Sequence, residues 1–249
     1  MNESVVLITG ALTGIGRATA VAFARQGARL VISGRRAEAG EELVRELRGY
    51  AGTEAEFVKT DVRDEDEVRA LIDYTVKRFG RLDVAVNNAG TEGTAAPITE
   101  QTPETYAAAF DTNVLGTLLS IKHEMRVMLA QKSGSIINIS STMGSRGAPG
   151  VSMYVASKHA VEGLTKAAAL EGAPMGVRVN AIAPGPVETG MLDRFTGSPE
   201  RKQAMLAGIP AKRIGEPQEI ADAILFLASP QSSFVIGQII GVNGGKTAL

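Results

Sequence analysis

The chain has 249 residues, 44% hydrophobic and 21% charged, enough apolar material for one globular domain with a large core. Its 26 basic and 27 acidic residues leave a net charge of −1, which argues against nucleic acid or an anionic membrane as partner. Cysteine is absent, which excludes disulfides, thiolate catalysis and cysteine-ligated zinc; with only two histidines, His123 and His159, no metal site is expected.

Strand-like apolar runs alternate with segments of helical period. Strands are expected at 5–9, 29–33, 55–59, 83–86, 135–140, 177–182 and 238–242, and helices at 15–26, 37–48, 65–78, 104–131, 153–173, 198–206 and 217–228. The first strand starts at Val5, leaving no room for a secretory signal, and the apolar run Phe234 to Val242 is too short to span a bilayer, so a cytoplasmic location is expected by default. Val5-Val6-Leu7-Ile8 and Ile136-Ile137-Asn138-Ile139 are nearly continuous apolar runs, the mark of strands covered on both faces. Asp64, with Glu67 three residues later, reads as a capping box. His123 is expected on a polar helix face, and His159 is expected to pack structurally. The alternation implies an α/β fold, a doubly wound parallel sheet of about seven strands with helices on both faces, forming a single domain over 1–249. Two stretches break the rhythm. The first, 144–153, carries Gly147, Pro149 and Gly150. The second, 184–210, holds four prolines and four glycines and follows the sixth strand's carboxyl end, which suggests a substrate lid rather than a passive surface excursion.

Directly after the first strand stands Thr9-Gly10-Ala11-Leu12-Thr13-Gly14-Ile15-Gly16. Gly10 permits a tight turn, while Gly14 and Gly16 let the backbone approach a diphosphate and the helix approach the sheet. Free N–H groups at the helix start, around Thr13 and Ile15, would face the phosphates. Further on, Tyr154 and Lys158 lie one helical turn apart, an acid/base pair in which the ammonium is close enough to lower the tyrosine pKa from its usual value near 10. Ser141, just past a buried strand, can donate to a substrate oxygen where charge develops.

These pieces, with Asp61-Val62, Asn87-Asn88-Ala89-Gly90, Asn113 and Pro184-Gly185-Pro186-Val187-Glu188-Thr189, stand in an order that resembles the short-chain dehydrogenase/reductase family over essentially the whole chain. The resemblance implies a Rossmann-like fold and an NAD(P)-dependent oxidoreductase that interconverts a secondary alcohol and a ketone. It implies that Asp61 bonds the adenine amino group beside Val62. Asn87, Ala89 and Gly90 line the adenosine side, Pro184, Gly185 and Val187 complete the cofactor's surroundings, and Thr189 holds the nicotinamide carboxamide. Lys158 would bond the nicotinamide ribose, and Asn113 would hold a water that links the lysine to solvent. The spacing to Tyr154 selects Ser141 over Ser140. At the second strand's end, Gly34 occupies the place where NAD-specific members carry a carboxylate. Arg35 and Arg36 follow, which favours NADP(H), with NAD(H) left open. Asn243 stands where many relatives have Asp, and Ile236 replaces a common threonine.

Candidate pocket residues are Gly93, Thr94, Met143, Val151, Met191, Leu192 and Phe195, mostly apolar, with no lysine or arginine obviously placed to grip an anion. A neutral, moderately apolar ketone or alcohol is therefore expected. The alternatives are a 3-oxoacyl-(acyl carrier protein) reductase, which would need a basic patch at the entrance, and a catalytically silent NADP(H)-binding sensor or scaffold. Helices 104–131 and 153–173 carry Leu115, Leu118, Leu119, Met125 and Met128, then Val161, Leu164 and Leu170, on more than one face. One face would cover the sheet. The other would meet a second subunit, and the resemblance implies a homotetramer; a monomer with scattered exposed leucines is the alternative.

Overall fold

The computed structural model describes residues 3–248. Seven strands, β1 (Val5–Thr9), β2 (Arg29–Gly34), β3 (Glu54–Lys59), β4 (Val84–Asn87), β5 (Gly134–Ile139), β6 (Val177–Pro184) and β7 (Ile239–Val242), form one parallel sheet in the order β3-β2-β1-β4-β5-β6-β7. The α/β doubly wound architecture expected from the alternation is the one observed. Strand side chains sort by parity to two cores. Val6, Ile8, Leu30, Ile32, Val84, Val86 and Ile137 pack on one face, and Leu7, Val31, Ala85 and Ile136 on the other. That period of two on a sheet buried from both sides explains why these strands read as unbroken apolar runs.

The first face is covered by α1 (Gly14–Ala24), α2 (Ala37–Leu47) and α9 (Pro217–Ala228), with Phe23, Leu47 and Ile224 fully buried. The second is covered by α3 (Glu65–Phe79), α5 (Gly116–Gln131) and α6 (Ser152–Gly172). The expected single helix 104–131 is three segments: α4 (Pro103–Phe110), a π-helical turn at Asp111–Leu115 and α5. A π turn inserts one residue into the helical ladder and re-aims the side chains it carries, here Asn113. The stretch 184–210 holds two short helices, α7 (Gly190–Thr196) and α8 (Pro199–Ala207); only the second was expected.

Three local expectations need correction. Asp64 caps α3 by accepting from the backbone N–H groups of Asp66 and Glu67, but the Glu67 carboxylate accepts from the N–H of Asp61, so the reciprocal half of the box is missing. His123 is buried rather than on a polar face, with Nε2 3.2 Å from Glu65 Oε1. His159 is exposed, its Nδ1 2.9 Å from the Val155 carbonyl.

β1 pairs with β2 on one side and β4 on the other, so the strand order reverses between β1 and β4. Their carboxyl ends diverge into loops that leave a crevice, the usual ligand position in such sheets. Among the described residues, no helix is long and apolar enough to cross a membrane, and no group of His, Asp or Glu is placed to hold a metal ion.

Candidate active site

The crevice is built first by glycines. Gly10 turns the chain out of β1 at φ +64°, and a Cβ there would stand 2.7 Å from Ala89 Cα, so the loops after β1 and β4 touch only because this residue has no side chain. At Gly16 a Cβ would stand 2.4 Å from both Asn88 Nδ2 and the Gly10 carbonyl, which fixes how closely α1 approaches the sheet. Thr13 precedes α1 in extended conformation and gives it no side-chain cap, whereas α3, α7 and α8 are capped by Asp64, Thr189 and Ser198. The first amides of α1 are therefore left for another acceptor, and the positive end of the helix adds to their pull on an anion. A cleft of about 430 Å³ lies over them, lined by Gly10, Thr13, Gly14, Ile15, Arg35, Arg36, Asp61, Val62, Ala89, Gly90 and Thr189 among others. An uncapped helix start beside a side-chain-free turn fits a diphosphate, and hence a dinucleotide.

Some expected cofactor residues lie elsewhere. Gly16 packs the helix and does not line the cleft. Asn87 points into the core, donating to Glu124 Oε2 and Asn138 Oδ1, each at 3.0 Å. Its neighbour Asn88 faces the site instead, and its Nδ2 also holds the Gly10 carbonyl at 2.8 Å and that of Thr9 at 3.2 Å. Alternation along β4 sends Asn87 to the buried side, a parity that the motif alone does not reveal. The Asp61 carboxylate takes Arg63 Nε at 2.9 and 3.1 Å, and that guanidinium holds its pKa below the usual carboxylate value.

A second, smaller cavity of about 160 Å³ adjoins the cleft and shares Ile15, Asn88, Gly90, Thr189 and Met191 with it. Ser141, Tyr154, Lys158, Met143, Leu192, Phe195, Pro184, Gly185 and Val187 line it. Val151, Gly93 and Thr94 line neither space; Val151 is buried at the start of α6. Lys246, just beyond the last strand, also lines the small cavity, so the expectation that no lysine is placed there does not hold.

Ser141 and Tyr154 line the same cavity, and Ser141 Oγ accepts from the Met143 N–H at 3.2 Å. Its neighbour Ser140 also borders the cavity, but its hydroxyl is committed to Glu162 Oε1 at 2.8 Å. Tyr154 differs from expectation: burial pushes its pKa above the usual tyrosine value, outweighing the opposite pull of the Ser141 hydroxyl, with the Glu92 charge adding to the rise. Lys158, itself buried and pushed down to about 8, has Nζ 5.6 Å from the Tyr154 ring centroid and donates to the Ile139 carbonyl at 2.8 Å. Asn113 makes three side-chain hydrogen bonds. Its amide donates to the Thr91 carbonyl at 2.9 Å and to Ser157 Oγ at 3.0 Å, and its Oδ1 accepts from the Thr91 N–H at 2.8 Å. It ties the loop after β4 to α6, one residue before Lys158, and has no donor left for a water. Thr189 caps α7 by accepting from the Leu192 N–H at 3.3 Å and donates to the Val187 carbonyl at 3.2 Å.

Comparison with known proteins agrees with this geometry. The sequence model described as enoyl-(acyl carrier protein) reductase matches residues 10–247. The chain is 44% identical over 248 residues to a cis-4-hydroxycyclohexanecarboxylate dehydrogenase of Sinomonas cyclohexanicum, covering 99% of this chain and 98% of that one. It is 40% identical over 246 residues to a 3-oxoacyl-(acyl-carrier-protein) reductase of Thermotoga maritima, covering 98% of each. The chain belongs to the short-chain dehydrogenase/reductase family. It is thus an oxidoreductase that uses a nicotinamide cofactor. Levodione reductase superposes with a TM-score of 0.97 at 35% identity, covering 100% of this chain and 99% of its own. An NAD+-bound xylitol dehydrogenase gives 0.94 at 34% identity, covering 98% and 99%, and an actinorhodin polyketide ketoreductase with NADPH gives 0.94 at 35%, covering 100% of both.

Proposed function

We propose that this member of the family interconverts a ketone and a secondary alcohol, with Tyr154 as general acid/base, Ser141 as donor to the substrate oxygen and Lys158 as the neighbouring cation. The observation that carries the reading is that Ser141, Tyr154 and Lys158 line one mostly apolar cavity, which shares Ile15, Asn88, Gly90, Thr189 and Met191 with the glycine-built cleft. A bound nicotinamide cofactor supplies or removes the hydride. The residues supply the rest. With its pKa raised by burial, Tyr154 stays protonated near neutrality, the state required to give a proton to the oxygen as charge develops on it. Ser141 Oγ steadies the same oxygen, and Lys158, still cationic below its pKa of about 8, makes the pocket favourable for that charge. Asn113 keeps α6 registered against the loop after β4, a positioning task. An intact proton-donor pair argues against a silent cofactor-binding scaffold.

NADP(H) is the cofactor favoured by the absence of a carboxylate at Gly34 and by Arg35 and Arg36 on the cleft wall, since arginine pairs with a 2′-phosphate that a carboxylate would repel. A panel of cyclic and linear ketones assayed with NADPH and NADH tests both points. Turnover of at least one cyclic ketone is expected, with a higher kcat/KM for NADPH. Tyr154→Phe should lower kcat by about a hundredfold or more while cofactor binding persists. Near wild-type turnover in that variant overturns the mechanism, and a higher kcat/KM with NADH overturns the cofactor assignment.

A further inference from the structure

The small cavity has three charged residues on its wall, and their states differ. The Glu92 carboxylate is satisfied by Arg194, whose Nε and Nη2 lie 2.6 and 3.2 Å from its two oxygens. Lys158 donates to the Ile139 carbonyl and stands beside Tyr154. Lys246 is different: among the described residues its ammonium has no hydrogen bond and no ion pair, although it is partly buried. Its backbone, by contrast, is fixed. Its N–H bonds the Asn243 carbonyl at 3.2 Å, and its own carbonyl accepts from the guanidinium of Arg146. Arg146 sits on the segment that also carries Ser141 and Met143, so the loop that carries Ser141 also holds the backbone of the lysine in place. Arg146 brings a second positive charge close by, and together with burial it makes the Lys246 charge harder to keep. An ammonium in that position gains more from an anion than from a neutral acceptor, because a hydrogen bond between two ionised groups is the stronger one.

We propose that Lys246 is a specificity-determining residue that binds the carboxylate of a small oxo acid or hydroxy acid, whose ketone or carbinol end lies at Ser141 and Tyr154. Met143, Leu192, Phe195 and Met205 line the same cavity and fit an apolar body joining the two ends. The cavity of about 160 Å³ limits that body to a small ring or short chain. The inference rests on the reading of this cavity as the substrate site.

The test uses three ketones that differ in one substituent: 4-oxocyclohexanecarboxylate, its methyl ester, and 4-methylcyclohexanone. Wild-type enzyme should show kcat/KM for the acid at least about tenfold above the ester, the scale of one charge-assisted contact. Lys246→Met should erase that gap by raising KM for the acid, leaving the ester and the KM for cofactor unchanged, while Lys246→Arg should retain part of it. Wild-type enzyme that treats acid and ester alike, or a Lys246→Met variant that slows both equally, overturns the inference. The wild-type comparison and Lys246→Arg decide the matter if Lys246→Met does not fold. If no ketone is turned over, the proposed activity fails, and calorimetry with cyclohexanecarboxylate then judges Lys246 separately. A tenfold weaker Kd in Lys246→Met supports it, and equal binding overturns it. Acetoacetyl-coenzyme A forms the last arm: a Lys246 effect seen only with this phosphate-bearing thioester overturns the small-acid assignment.

Discussion

Glu124 is fully buried on α5, and it shows what one side chain can do to the whole fold. Its Oε2 accepts from Asn87, its Oε1 has no partner, and burial pushes its pKa from 4.5 to about 7. Because the folded value is raised, the fold binds this proton more tightly than the unfolded chain does. Below about pH 4.5 both states are protonated and the group is neutral in the balance. Between that pH and about 7 the unfolded chain ionises while the fold does not, so stability falls as pH rises, and above 7 the full loss is present. Glu124→Gln removes the titration. Relative to wild type it should gain on the order of 2–3 kcal/mol of unfolding free energy between pH 5 and pH 8. Denaturant curves of both proteins at the two pH values measure this, and a stability difference independent of pH would show that Glu124 is not shifted. The buried network Glu124–Asn87–Asn138 was invisible in the sequence, where Asn87 looked like a cofactor residue. The motif marks where the chain turns, but the direction of each side chain depends on strand parity and on what α5 brings against it. Ser141, Tyr154 and Lys158 were legible because their separation follows from strand, loop and helix lengths. Lys246 was not, since it stands far along the chain from Ser141 and Tyr154 and is brought to them by the pairing of β6 with β7.

At the scale of elements, what the sequence left open was the segment 184–210. A seven-residue helix such as α7 is too short to show a helical period, and its signal is the cap, Thr189 accepting from the Leu192 N–H. The π turn at Asp111–Leu115 escaped for a similar reason: the apolar pattern continues through it, and only the helical phase changes. α7 reaches across the site to the loop after β4 through the Arg194–Glu92 pair. α8 is tied back by Lys202, which bonds Asp193 at 3.0 Å and also Glu188. Arg194 is mostly exposed, so the pair adds little to global stability, about 1 kcal/mol or less. Its effect belongs to the local opening of 184–210, which we propose acts as the substrate lid. Arg194→Ala should leave Tm within a few degrees of wild type yet speed limited proteolysis within 184–210 several-fold, and cofactor should slow that cleavage in the wild-type enzyme. Equal cleavage rates in the two proteins would mean that the pair does not hold the lid.

On the scale of the whole molecule, the helical segments around the site carry apolar surface that no described residue covers. Leu119, Met125, Met128 and Val161 face the sheet and are buried, which accounts for one apolar stripe on each of α5 and α6. Leu115, Leu118 and Leu170 remain 38%, 44% and 76% exposed, and Tyr106, stacked on Phe110 at 4.2 Å, is 50% exposed. Burying a leucine side chain yields about 1.5–3 kcal/mol, so a shared face of this kind can hold subunits together when each patch meets its own symmetry copy. We propose a homotetramer with two-fold symmetry built partly on α4, α5 and α6. Asn113 lies in the turn that joins α4 to α5, and Tyr154 and Lys158 lie on α6, so assembly would stiffen the elements that aim the reacting groups. Leu118→Glu places a charge on the outer face without touching the core. It should convert the assembly to smaller species by light scattering and lower kcat in the same preparation, while the circular dichroism of the fold is kept. A wild-type enzyme that is monomeric and fully active at low micromolar concentration would reject the assembly, and a dissociated yet fully active Leu118→Glu variant would separate assembly from catalysis.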